Sequence, residues 1–218
     1  MYSRKFTLVE LLIVIGIIAI LAGILLPVVS GAAKRADMTK AKSEITTLIN
    51  AIKQFESTYG HLPLPSAPTA YNATANLTAN QYEDLIRILQ GENPVNNSFG
   101  NPNLNPNTRK TRFLDVVGNT PGQFQDPWGN NYLVYMDHDY DGKINATAIV
   151  AADKIENGST GGGTPSLTHF TDDLYYSIII WSKGADNTGK SINAVRNDNV
   201  YSFPVTWDKN NNRYNITQ

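Results

Sequence analysis

The sequence predicts an α+β fold, with one long N-terminal helix packed on a small antiparallel β-sheet domain. Three observations carry that expectation. Residues 11–33 contain no charged side chain, which is long enough for a helix crossing a bilayer core, where roughly 20 apolar residues are needed. Beyond them Met38, Ala41, Ile45, Leu48, Ile52, Phe55 and Tyr59 recur at alternating steps of three and four, the apolar stripe of a half-buried helix. The second half of the chain sets short β-branched and aromatic runs between connections rich in Asn, Gly, Ser and Thr, the pattern of a loop-rich sheet.

Composition bounds the possibilities. The 218 residues leave room for one anchor helix and one soluble domain. Lys+Arg 18 against Asp+Glu 19 gives a net charge of -1, so no basic excess points to nucleic acid. With no cysteine, disulfides and thiolate metal sites are excluded, and a further staple would have to be a cation held by oxygen.

In order along the chain, residues 1–5 form a short basic leader with Arg4 and Lys5, and residues 6–30 form the apolar segment. A secretory signal is the rival reading, but its apolar region is shorter and does not begin with an acid such as Glu10. Pro27 removes a backbone donor near the far end of the span, which costs a helix interior about 3 kcal/mol. Residues 31–60 continue the helix amphipathically, either packing on the chain's own domain or forming a coiled-coil seam. Gly60 and the Pro-rich run after it stop the helix.

Residues 61–218 form the sheet domain. Residues 66–79 read as a surface loop. Asn80 with Glu83 forms a capping-box pattern that opens a short helix, with Tyr82, Leu85, Ile86 and Leu89 inward and Gly91 closing it. Residues 92–112, dense in Asn and Pro, read as an irregular connection, and residues 113–117 as a short strand. Asp126-Pro127-Trp128-Gly129-Asn130 reads as a turn before a strand at 132–136. A hairpin is expected around 137–143, with 144–151 as its second strand. Residues 154–166 read as a flexible loop. The run 174–181 (LYYSIIIW) is the strongest strand, expected at the centre of the sheet, and residues 200–205 and 213–216 complete it.

The order of leader, FTLVE and apolar run, written FTLVELLIVIGIIAILAGILLP over residues 6–27, resembles the type IV pilin and type II secretion pseudopilin family. That resemblance implies a pilin-like fold, cleavage between Lys5 and Phe6 by a prepilin peptidase, methylation of Phe6, and pairing of Glu10 with a neighbouring subunit's amino terminus. The sequence departs from the family at Lys5, where Gly ordinarily precedes the scissile bond. A carboxylate deep in a bilayer costs about 2.5 to 3.5 kcal/mol, so Glu10 calls for such a partner or for a route to the headgroups. DPWGN before a strand is a second resemblance, to the C-terminal domain of major pseudopilins.

Two acidic stretches have the chemistry of a hard cation. Asp137, Asp139 and Asp141, with Gly142 and Ile144, spell DxDxDGxI, the opening of a 12-residue calcium loop. Its twelfth position is Ala148, so the stretch reads as a partial site or as a hairpin turn using Asp and Gly for their backbone preferences. The resemblance to major pseudopilins implies the other site, with Ser182, Asp186 and Asp198 at the positions of a structural calcium loop; an ordinary polar connection is the alternative.

Enzymatic chemistry finds no motif. His61, His138 and His169 are scattered, and no GxSxG, P-loop or GxGxxG is present. The resemblance implies a structural subunit of a type II secretion pseudopilus, single-pass in the bacterial inner membrane with its domain periplasmic, then polymerising through its N-terminal helix. Its partners would be copies of itself, minor pseudopilins, the prepilin peptidase and an inner-membrane assembly platform. A type IV pilus subunit for adhesion, motility or DNA uptake, and an anchored calcium-dependent binding domain that never polymerises, are the alternatives.

Overall fold

The computed structural model describes residues 7–63, 77–96, 106–115, 120–138, 140–144, 174–185, 200–203, 205–208 and 213–216, the side chains of 24–30, 205–208 and 213–216 excepted. The chain divides into two compact units, Met1–Thr39 and Lys40–Gln218. Helix α1, Leu8–Tyr59, contributes to both.

Between Leu8 and Leu21, in the first unit, α1 is apolar and exposed on every side, Glu10 apart. Leu8, Val9, Leu11, Leu12, Ile13, Val14, Ile15, Ile17, Ile18, Ile20 and Leu21 are all exposed, whereas a surface helix of a soluble domain confines its apolar residues to one stripe. The helical backbone continues through position 27, so Pro27 does not end it. Among the described residues, whose side chains in this stretch break off after Gly23 and resume at Gly31, no helix is long and apolar enough to cross a membrane.

In the second unit α1 buries one stripe. Ala41, Ile45, Leu48, Ala51, Ile52 and Phe55 are buried, and full burial of each larger side chain contributes about 1.5–3 kcal/mol. Of the expected ends of the stripe, Tyr59 is half-buried, and Met38, also half-buried, falls in the first unit. Gly60 stops the helix in the left-handed region (φ 75) and donates to Glu56 O at 2.7 Å.

Helix α2, Ala79–Leu89, buries Tyr82, Leu85, Ile86 and Leu89 as the sequence predicts, together with Asp84 and Ile88. Its cap differs from expectation. Thr78, not Asn80, is the N-cap: Gln81 N–H donates to Thr78 Oγ1 at 3.4 Å and Thr78 N–H to Gln81 Oε1 at 2.9 Å. Glu83 is drawn instead to Arg87, one turn on, at 2.9 Å. At the other end Gly91 (φ 81) donates to Ile88 O and Glu92 to Arg87 O, the paired bonds of a Schellman ending. A side chain at Gly91 would meet Lys110 O at 2.7 Å.

The irregular connection is organised by one buried amide. Asn107 Nδ2 donates to Ile88 O and Thr111 O, both at 2.7 Å, while its Oδ1 accepts from the Tyr59 hydroxyl at 2.7 Å and Thr111 N–H at 2.9 Å. Both donors and both lone pairs of the amide are used, which ties the connection to α1 and α2. Residues 113–115 are not a strand. Phe113 and Leu114 N–H both donate to Leu89 O at the end of α2, so their donors are unavailable to a ladder. Residues 116 and 117 lie outside the described residues.

The sheet has order β1-β2-β3, with β1 Leu133–Met136, β2 Ile178–Ser182 and β3 Val200–Tyr201. It is antiparallel, Leu133 facing Trp181 and Met136 facing Ile178 on one side of β2, and Trp181 facing Tyr201 on the other. The central position of the IIIW run is as expected, although the strand starts at Ile178 and Leu174 forms only an isolated bridge to Ile144. That bridge corrects the expected hairpin: β1 pairs with β2, and Ile144 pairs with Leu174. The proposed second strand beyond Ile144 and the loop 154–166 lie outside the described residues. Residues 200–205 are likewise not one strand: β4 Val205–Asp208 and β5 Arg213–Ile216 form their own two-stranded sheet.

Both faces of β1 and β2 are buried. One face joins Leu133, Tyr135, Ile179 and Trp181 with Ile144, Leu174 and Phe203 in a single cluster. Strand alternation puts Val134 and Met136 on the opposite side, the side of Tyr132, whose hydroxyl reaches Glu44 of α1 at 2.6 Å.

Candidate functional site

The N-terminal stretch carries the first set of expected site residues. Lys5 and Phe6 lie outside the described residues. Glu10 does not stand alone: its Oε2 accepts from Thr7 N–H at 2.9 Å and Thr7 Oγ1 at 2.8 Å, and Glu10 N–H donates to Thr7 Oγ1 at 3.2 Å. The reciprocal bonds form a capping box, which satisfies donors that a helix start leaves unpaired. Thr-x-x-Glu was legible in the sequence as that pattern, but was absorbed into the longer FTLVE signature.

The expected DPWGN turn is present and is built on Asp126. Its Oδ1 accepts from Trp128 N–H at 3.1 Å and Asn130 N–H at 2.8 Å, while Asp126 N–H donates to Asn130 O at 2.8 Å and Gly129 N–H to Asp126 O at 2.9 Å. Gly129 takes φ 87, the left-handed conformation that glycine adopts without steric cost. The other carboxylate oxygen accepts from the Ser182 hydroxyl at 2.5 Å. Ser182 Oγ in turn accepts from Gly184 N–H at 3.0 Å. Of the three residues assigned by resemblance to a calcium loop, Ser182 is thus fully buried against Asp126; Asp186 and Asp198 lie outside the described residues.

In the DxDxDG stretch, Asp137 is buried, and its carboxylate accepts from Asp141 N–H at 3.2 Å and Gly142 N–H at 2.8 Å. Asp141 Oδ1 accepts from Lys143 N–H at 3.0 Å, and its other oxygen lies 3.9 Å from Lys143 Nζ. Tyr140 and Gly142 take φ 57 and φ 85, so the backbone turns sharply here, and the Tyr140 hydroxyl accepts from Leu62 N–H at 2.8 Å. Asp139 lies outside the described residues. Among the described residues no group of three or more His, Cys, Asp or Glu side chains converges as a metal would require.

Two tyrosines join these parts to the helices, and sequence reasoning singled out neither as a functional contact. Tyr132 donates to Glu44 of α1, and Tyr82 of α2 donates to Phe124 O at 2.6 Å. Burial raises both phenols well above the ordinary tyrosine value, reinforced at Tyr132 by its hydrogen bond to Glu44. Both therefore stay protonated as donors at neutral pH.

No model of a protein family matches the chain, and no solved structure matches it. Two curated proteins do. Type II secretion system core protein G of Escherichia coli (strain K12) is 30% identical over 133 residues, covering 61% of this chain and 71% of that protein. Type II secretion system core protein G of Aeromonas hydrophila is 29% identical over 140 residues, covering 64% of this chain and 77% of that protein. With an N-terminal capping box opening a helix whose apolar residues from Leu8 to Leu21 are exposed, and an antiparallel sheet entered through the DPWGN turn, the chain belongs to the family of type II secretion system core protein G.

Proposed function

We propose that the chain is a structural, non-catalytic subunit of a type II secretion pseudopilus. The observation that carries this reading is the exposed apolar surface of α1 from Leu8 to Leu21. About 25 cal/mol is lost for each Å² of apolar area left in water, so this surface needs lipid or other apolar helices around it. Both are supplied in turn: the uncharged run 11–33 spans the inner membrane before assembly, and packs against copies of itself in the filament. The names of the two relatives support the secretion machine over a type IV pilus.

In this reading prepilin peptidase cuts between Lys5 and Phe6 and methylates Phe6, and Glu10 pairs with a neighbour's new amino terminus. The capping box supports a poised role for Glu10, since its carboxylate is already held at the helix start beside the cleavage point. Pro27 lies within the membrane-spanning part. The domain is periplasmic, the minor pseudopilins and the inner-membrane platform are its partners, and growth of the filament drives protein secretion.

A structural calcium ion belongs to the same proposal. By the resemblance the set Ser182, Asp186 and Asp198 is the first choice, and Asp137, Asp139 and Asp141 the second; Ser182 and Asp137 each already bond to protein groups. In a chain without cysteine, a cation that binds only the folded form adds about 2.7 kcal/mol at a hundredfold excess over its dissociation constant.

The test of the assembly reading is Glu10→Ala in cells that carry the secretion machine. The variant is expected to insert in the membrane at the parent level and to form few or no filaments. Filaments at parent abundance would contradict the pairing, and a parent that never polymerises would leave the anchored, calcium-dependent binding domain.

A further inference from the structure

The uncharged run 11–33 gives way abruptly to cations: Lys34, Arg35, Lys40 and Lys42 stand against one acid, Asp37. The helix does not break at that boundary, since α1 is continuous from Leu8 to Tyr59. Lys34 and Arg35 are therefore held at a fixed level, about 1.5 and 3 Å beyond the last uncharged residue along the axis. Gly31, Ala32 and Ala33 before them are exposed and small, so no bulky side chain screens the two stems from the run. Both cations are exposed, and among the described residues neither side chain makes a hydrogen bond or an ion pair, although Asp37 lies one turn from Lys34. Lys40 differs, with Glu44 Oε1 3.9 Å from its ammonium.

We infer that Lys34 and Arg35 bind the phosphate headgroups of anionic phospholipids at the end of the run from which the domain continues. This inference rests on the membrane-spanning reading above. In a helix every Cα–Cβ bond tilts toward the N-terminus, so long side chains placed after a span lean back toward the bilayer. Their stems lie along apolar surface while the charged heads reach the polar layer, which extends about 5–7 Å beyond the hydrocarbon core. There each cation strengthens association with an anionic surface about fivefold. Arg35 offers a planar fork for two phosphate oxygens, and Lys34 a point charge. A zwitterionic headgroup carries its own cation beside the phosphate and cancels much of this attraction, so the pair selects lipids of net negative charge. A second copy of the chain fits less well, because α1 holds no acid between Glu10 and Asp37 and repeats the same cations.

The test uses the full chain reconstituted in phosphatidylcholine vesicles that contain a trace of spin-labelled phosphatidylglycerol or spin-labelled phosphatidylcholine. Electron spin resonance reads the fraction of each probe held at the protein. The parent is expected to prefer phosphatidylglycerol by about fivefold or more, and Lys34→Gln and Arg35→Gln each to lower that preference. The double variant should bring it close to parity, as should 1 M sodium chloride, where charges act over only about 3 Å. Lys53→Gln removes an exposed cation well beyond the run and should leave the preference unchanged. A loss in Lys53→Gln equal to that in the double variant would overturn the inference. So would a double variant that keeps its lipid preference and loses self-association, which would assign the cations to a second copy. Alkaline carbonate extraction separates the inference from the reading beneath it. A parent stripped from the vesicles would overturn both, whereas a firmly inserted parent without lipid preference would overturn only the inference.

Discussion

Residues 8–21 and 41–55 belong to one helix, yet they solve opposite problems. Between Leu8 and Leu21 the apolar side chains point in every direction and are exposed. Between Ala41 and Phe55 six of them, Ala41, Ile45, Leu48, Ala51, Ile52 and Phe55, form one stripe buried to within 2% of completely, with Ile49 half-buried beside it, and Lys42, Ser43, Thr46, Thr47, Lys53 and Gln54 hold the wet side. The backbone is helical in both, so the difference lies in the surroundings each sequence is written for. The second stretch is finished within its own unit. The first is finished by lipid or by other copies in the proposed assembly.

The largest expected effect sharpens that contrast directly. Ile52→Ala removes a fully buried side chain and is expected to destabilise the protein by about 2–5 kcal/mol. Ile15→Ala, in the exposed stretch, is expected to change stability by less than about 0.5 kcal/mol. Denaturant unfolding of the full chain in micelles measures both. A cost at Ile15 equal to that at Ile52 would break the distinction.

Alkali gives the next effect, and it falls on the second stretch's unit alone. Tyr82 and Tyr132 have folded values raised above the ordinary one, so each stays protonated in the folded state while its unfolded counterpart ionises near pH 10. A raised folded value stabilises fully below the unfolded one, and that contribution is lost as pH rises beyond it. Stability should therefore fall above about pH 10 by roughly 1.4 kcal/mol per pH unit for each tyrosine. Removing the Tyr132 hydroxyl in Tyr132→Phe should halve this slope; an unchanged slope would contradict the assignment.

Thr78→Ala is the smallest effect. Loss of the α2 cap is expected to cost about 1 kcal/mol, while Asn80→Ala should leave the melting temperature close to the parent's. The reverse order would restore the cap expected from sequence.

That misassigned cap marks the limit of local reading. Thr78-x-x-Gln81 and Asn80-x-x-Glu83 fit the same pattern, and pattern alone does not separate them. The choice is made by Arg87 and Asn96, which engage Glu83. The stripe of α1 was legible because its period is local, and the centrality of the IIIW strand because its composition is extreme. The partner of β1 was not legible: a hairpin to the following segment is the default for adjacent strands, whereas the actual ladder joins Met136 to Ile178 across a long connection. The same holds at the candidate site. DPWGN announced a turn, but the bond between Asp126 and Ser182 spans 56 positions, and no spacing rule reaches that far. Asn107 was hidden for a related reason, since an Asn-rich stretch reads as loop whichever of its amides is the buried one.

The most direct measurement is the intact mass and N-terminal sequence of the protein recovered from its native membrane. The account predicts a chain that begins at Phe6 and carries a methyl group on its amino terminus, despite Lys5 before the scissile bond. A chain still beginning at Met1 would contradict it, since Glu10 would then have no new amino terminus to meet.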